Sequence, residues 1–216
     1  MILITGPSGC GKDHIGARLI AEGKTVASLD AIGNMLTGED GSLKWVIPAD
    51  CVLRVIASRK YEYALGISCN IVEWIHLFDE LIVPKIDLAT AKLVCAAKQK
   101  AQAEEMKAKG KPNNKTTWWK EPQSLDEYYG GNGFWLKPNP YNFKGKVTLL
   151  ENSHAENEGY AWHEWTSATD ETKKRREELR TIARFVKDAP YAQTAPWLIQ
   201  QMEATQPWTP FKSVNK

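Results

Sequence analysis

The chain has 216 residues, with 28 Lys and Arg against 26 Asp and Glu, for a formal net charge of +2. Apolar residues make up 43% and charged residues 25%, which excludes a disordered or fibrous chain and leaves ample material for a core. The length suits one domain with an insertion or an appendage. Nine Trp stand out, seven of them after residue 117. Trp joins a large apolar face to one N–H donor, so it serves both cores and stacking surfaces. No apolar run approaches the roughly 20 residues that span a bilayer. The opening MILITG lacks the basic region of a signal peptide. Cys10, Cys51, Cys69 and Cys95 form no CxxC pair, a pattern that fits reduced thiols in a cytoplasmic protein. His154 and His163 lie among Glu151, Glu156, Glu158 and Glu164; a solvated acidic loop is a simpler reading there than a transition-metal site.

Residues 1–6 read as a short buried strand running into glycines. Ile15, Leu19 and Ile20 give an apolar stripe to a helix over 12–22, ended by Gly23. Residues 24–29 form a second strand closed by Asp30, and 33–44 are turn-rich. Pro48 starts a helix through about Arg59. A third strand covers 63–68, a short helix 70–77 and a fourth strand 81–86. Asp87 caps a long Ala/Lys-rich helix to about Lys109. Strands alternating with helices predict a parallel α/β sheet over a core of residues 1–109. Residues 110–146, rich in Gly and Pro, read as an insertion or lid. Residues 147–216 then hold the rest of a fifth strand starting at Lys146, a basic helix over 169–187 and an aromatic tail.

The strongest signal is Gly6-Pro7-Ser8-Gly9-Cys10-Gly11-Lys12-Asp13. It matches G-x-x-x-x-G-K, a pattern that composition alone yields in roughly 3 of 10,000 windows. It also follows an apolar strand and opens a helix, as a phosphate loop must. Glycines let successive N–H groups turn toward an anion, and the helix N-terminus adds partial positive charge. Ser8, Gly9, Cys10, Gly11, Lys12, Asp13 and His14 are therefore the candidate nucleotide-phosphate contacts, with Lys12 the catalytic cation. Asp13 stands where Ser or Thr is usual. It is either a ligand for Mg²⁺ or an acid favoured by the helix dipole.

Asp30 lies 18 residues after Lys12, at the carboxyl edge of the sheet, where ligands bind in open α/β folds. It is either a general base for an attacking hydroxyl or a strand-end turn residue. The third strand ends in Ser68 without an acid, and no guanine-specificity motif is present. Both absences weigh against a motor or a GTPase.

On Gly6–Asp13, Leu29-Asp30 and Phe78-Asp79-Glu80-Leu81-Ile82-Val83, the chain resembles the P-loop nucleotide and polynucleotide kinases over residues 1 to about 110. The resemblance implies a P-loop NTPase fold of the kinase type, with ATP and Mg²⁺ as cofactors. It also implies Asp30 as the general base, and a lid whose basic side chains contact phosphates. That lid would start after Asp87 with Lys92, Lys98, Lys100, Lys107 and Lys109, without the usual Arg.

Charge is strongly segregated. Residues 98–120 hold seven Lys and two Glu, 151–170 hold five acids and no Lys or Arg, and 171–187 hold seven Lys/Arg and three Glu. The first stretch leads into Trp118-Trp119. It reads either as a nucleic-acid surface, cations for phosphate and rings for an unstacked base, or as a solvated helix with two core Trp. The chain also looks compatible with phage-type kinases that phosphorylate 5-hydroxymethyluracil within DNA, acting in host cytoplasm. There Trp118, Trp119 or Trp135 would serve a flipped base. The alternative acceptor is a free nucleoside or deoxynucleoside monophosphate, whose phosphate Arg54 and Arg59 would clamp. A non-catalytic ATP-dependent DNA-binding or packaging factor is the reading from another class.

Overall fold

The computed structural model describes residues 1–37, 43–108, 121–152, 169–185 and 187. Five parallel strands form one sheet: β1 (Ile2–Ile4), β2 (Val26–Ser28), β5 (Tyr63–Leu65), β6 (Glu80–Lys85) and β7 (Lys146–Glu151). Their order is β2-β5-β1-β6-β7, with Ile2 opposite both Tyr63 and Glu80. An α/β fold with a parallel sheet is therefore present, as the strand–helix rhythm predicts. The inner strands β1, β5 and β6 are largely apolar because both faces are covered; Leu3, Ile4, Ala64, Leu81 and Val83 are all buried. The covering helices are α1 (Lys12–Ala21), α2 (Ala49–Ala57), α3 (Leu88–Ala108), the one-turn α4 (Leu125–Tyr128) and α5 (Asp170–Ala183). None of the described helices is long and apolar enough to cross a membrane.

The sheet order places the glycine loop. The chain leaves central β1 through α1 for the β2 edge, and later elements return to fill both sides of β1. The carboxyl end of β1 is therefore a switch point, where neighbouring connections diverge and leave a crevice.

Three expectations change. Residues 33–44 contain a hairpin, β3 (Asn34–Thr37) with β4 (Leu43–Val46), in register Met35 to Trp45. Its polar, Gly-containing sequence hides the pairing, which is local and antiparallel. The helix expected over 70–77 is two 3-10 turns, at Ile71–Glu73 and Ile75–Leu77. They bury Trp74 in the core. The second strand stops at Ser28, so Asp30 falls in a 3-10 turn, Leu29–Ile32, beyond the strand.

Residues 121–145, expected within an insertion or lid, pack on the sheet through buried Tyr129, Trp135 and Phe143. The Tyr129 hydroxyl donates to the Pro84 carbonyl at 2.7 Å and accepts from the Ile86 N–H at 2.9 Å, all within the interior. These bonds hold the strand end just before α3, the helix that flanks the glycine loop. Phe78-Asp79, cited for the kinase resemblance, lies at the opposite edge of the sheet. There the Asp79 carboxylate receives the Met1 ammonium.

Replacing Tyr129 by Phe strands the buried Ile86 N–H. The expected loss is about 1–3 kcal/mol of unfolding free energy. Chemical denaturation of both proteins, with an unchanged m-value, checks it.

Candidate active site at the carboxyl edge of the sheet

The glycine loop adopts the backbone its composition permits. Gly9 has φ +94° and Gly11 has φ +90°. A Cβ at Gly9 would sit 2.4 Å from Val94 Cγ1 on α3, so a side chain is excluded by space as well as by conformation. Gly11 is the N-cap of α1 and offers no side-chain cap, so the first N–H groups of α1 remain for an anion.

The loop is braced from behind by residues far along the chain. Tyr128 Oη donates to the Ser8 carbonyl at 3.2 Å, and Asn152 Nδ2 donates to the Cys10 carbonyl at 3.0 Å. Cys10 itself is fully buried, and burial pushes its thiol up to about 11, so it is inert and serves as packing.

A cavity of about 810 Å³ opens in front of the loop, between α1, the β2 edge and α5. Ser8, Lys12, Asp13, Asp30 and Lys98 all line it. Lys12 is buried and sits 3.6 Å from the Asp13 carboxylate. Burial opposes its ammonium, but Asp13 and Asp30 outweigh burial and hold the charge firmly in place. Lys98 reaches in from α3 and donates to Ser8 Oγ at 2.8 Å. Its ammonium is disfavoured, first by burial and then by the like charge of Lys12. Two cations held together in this way form a site that an anion would relieve.

Asp30 faces the same space. The residue is exposed to the cleft, while its carboxyl group is surrounded by protein on most sides. Lost solvation raises its pKa, and Lys12 opposes the rise. The Trp45 side chain on β4 hydrogen-bonds the carboxylate, and Arg176 of α5 adds favourable charge. The turn carrying Asp30 is pinned by Arg180, whose Nε donates to the Ala31 carbonyl at 2.9 Å.

Lys12, Asp13, Asp30 and Ser8 thus meet at one cavity. His14 is half-buried on α1 and does not line it. Arg54 and Arg59, the expected clamp, do not line it either. Arg54 pairs with Asp50 at 2.7 Å and donates to the Ala183 carbonyl at 3.0 Å, tying α2 to α5. Arg59 is exposed at the end of α2 with φ +53°. Trp118 and Trp119 lie outside the described residues, as do Lys109 and the His154–His163 segment. Sequence reasoning missed the arginines of α5: Arg175, Arg176 and Arg180 all line the cavity. The net positive charge of 171–187 was their only signal.

No group of three or more His, Cys, Asp or Glu suited to a metal ion occurs among the described residues. Mg²⁺ needs no such group when a substrate phosphate shares it, because one or two carboxylates and waters complete the shell. Asp13 is a hard oxygen donor beside the glycine loop, and with Ser8 it fits that requirement.

The chain matches no family model and no curated protein sequence.

Gly9→Ala should weaken binding of inorganic tripolyphosphate by at least about tenfold, because the loop must move to clear Val94. Isothermal titration calorimetry reads the change directly.

Proposed function

We propose that the protein is an ATP-dependent kinase of the P-loop type that transfers the γ-phosphoryl group to a hydroxyl of a nucleotide acceptor. The observation that carries the reading is the convergence of Lys12, Lys98 and Asp30 on one cavity at the switch point of the sheet. The first two suit a polyphosphate and the third suits a hydroxyl proton.

In this reading the glycine loop N–H groups and Lys12 hold the β- and γ-phosphate oxygens. Lys98 neutralises the same oxygens from α3 and supplies the cation expected of the lid helix. Asp13 would hold Mg²⁺, which supplies charge neutralisation to the phosphates when bound. Asp30 accepts the proton of the acceptor hydroxyl as its oxygen bonds to the γ-phosphorus. The bond from that phosphorus to the β–γ bridging oxygen breaks, and ADP leaves with the electron pair. Trp45 orients the Asp30 carboxylate, and Arg176 limits the rise in its pKa.

The acceptor we favour is 5-hydroxymethyluracil within DNA. A free deoxynucleoside monophosphate is the second reading, favoured by Arg175 and Arg176, which stand in the cavity wall with Asp30 and suit a phosphate. A non-catalytic ATP-dependent factor has less support, because it leaves Asp30 without a task.

Labelled ATP offered to ordinary DNA, DNA containing 5-hydroxymethyluracil, and free nucleosides or monophosphates decides the acceptor. Label only in the modified DNA is expected; label only in the free compounds overturns that choice, and label in none overturns the kinase. Asp30→Asn should keep ATP binding and lower turnover by about 10² or more. Wild-type activity should rise with pH as Asp30 loses its proton, with a midpoint above that of an ordinary aspartate. Below that midpoint the base is protonated and activity falls. A pH–rate profile with no such limb would remove Asp30 from the mechanism.

A further inference from the structure

The cavity does not end at Asp30. It continues along β2, past Val26 and Thr25, to Lys24, Lys60 and Tyr61 at the opposite end of the strand. From Thr25 to Ser28 that path covers about 10 Å at ~3.3 Å per residue. This length matches about three stacked nucleotide steps of ~3.4 Å. A transferring phosphoryl group and one acceptor hydroxyl occupy only the Asp30 end.

The floor of this extension is the edge of the sheet. Among the described residues β2 pairs only with β5, so its outward backbone groups belong to no ladder described there. The walls are α1 and α5. Among the described residues, seven Lys and Arg side chains and three carboxylates line the cavity. At the far end the half-buried ring of Tyr61 forms part of the wall. Cations along a groove, backbone partners on its floor and an aromatic ring at its end are the elements of a single-strand nucleic-acid site.

We infer that this groove holds the DNA strand adjoining the phosphorylated nucleotide, with its phosphates between α5 and Lys24/Lys60 and a base on Tyr61. The inference rests on the DNA-acceptor reading above and names where that acceptor lies. A free monophosphate would leave the Tyr61 end empty.

The groove cations have carboxylate neighbours, and these bear on the charge argument. Lys24 pairs with Glu62 at 3.2 Å and Lys60 with Glu178 at 3.0 Å; all four side chains are largely exposed. Arg175 pairs with Glu171, and Arg180 with Glu177 at 3.6 Å. Exposed pairs of this kind contribute little to stability, so a strand phosphate can replace the carboxylate at small cost. Glu178 itself lines the groove and opposes the strand.

The test uses the full chain and an unmodified single-stranded DNA oligonucleotide, followed by fluorescence anisotropy at several salt concentrations. A fluorescent ATP analogue is titrated in parallel. Wild-type affinity for the oligonucleotide should exceed that for a deoxynucleoside monophosphate and fall steeply with salt. Lys24→Glu with Lys60→Glu should cost at least about tenfold and flatten the salt slope. Tyr61→Leu should cost about fivefold or more, the lower end of one base–aromatic stack. Glu178→Gln should tighten binding. Affinity for the ATP analogue should stay the same throughout, which also reports that each variant is folded. The two lysines are surface residues and carry the test if Tyr61→Leu does not fold. Unchanged oligonucleotide affinity in the double lysine variant overturns the inference. So does an oligonucleotide bound no better than the monophosphate. Binding that follows these residues without phosphoryl transfer to any acceptor keeps the groove and removes the kinase. Transfer to a free monophosphate without oligonucleotide binding removes the groove and keeps the kinase.

Discussion

Two ammonium groups share one glycine loop, and much of the architecture follows from keeping them there. Lys12 is fixed by its place at the start of α1. Lys98 arrives from the third turn of a different helix and binds Ser8. Their mutual repulsion, together with lost solvation, works against the charge on Lys98. Asp13 and Asp30 offset this for Lys12, which is why both carboxylates stand within the same cavity. Two cations held this close suit a polyanion, the class of ligand that the proposed function assigns to them.

The glycine loop was legible in the sequence because everything that defines it is local. Glycines, lysine, preceding strand and following helix lie within about twenty residues of one another. Asp30 could be placed by counting one helix and one strand from Lys12, and the count was right to within the 3-10 turn that ends β2. Residues joined only by the fold were not legible. Trp45 reaches Asp30 through a hairpin whose polar tip masks it as a turn region. The arginines of α5 reach the cavity from more than 140 positions away, and nothing near them in the chain marks the facing surface. Arg54 shows a related ambiguity, because in sequence a cation on an amphipathic helix looks the same whether it faces a phosphate or, as here, reaches the end of a neighbouring helix.

The described tryptophans divide by location. Trp74 and Trp135 are buried and do the work of large core residues. Trp45 packs against Gly33, where a Cβ would lie 2.3 Å from the indole ring, and so brings the hairpin close to the Asp30 turn. One of the three thus belongs to the site, through its single polar atom.

The bracing of the glycine loop bears on how the protein is made. Ser8 and Cys10 are held by partners 90, 120 and 142 positions later in the chain, at Lys98, Tyr128 and Asn152. Such contacts close late, because a long stretch of chain must first be ordered. A ribosome that has released only the first hundred residues has already presented the entire motif. The loop it presents lacks two of its three distant supports. The brace on the glycine loop is therefore completed only once residue 152 has been made, 142 positions after Cys10 in the loop itself.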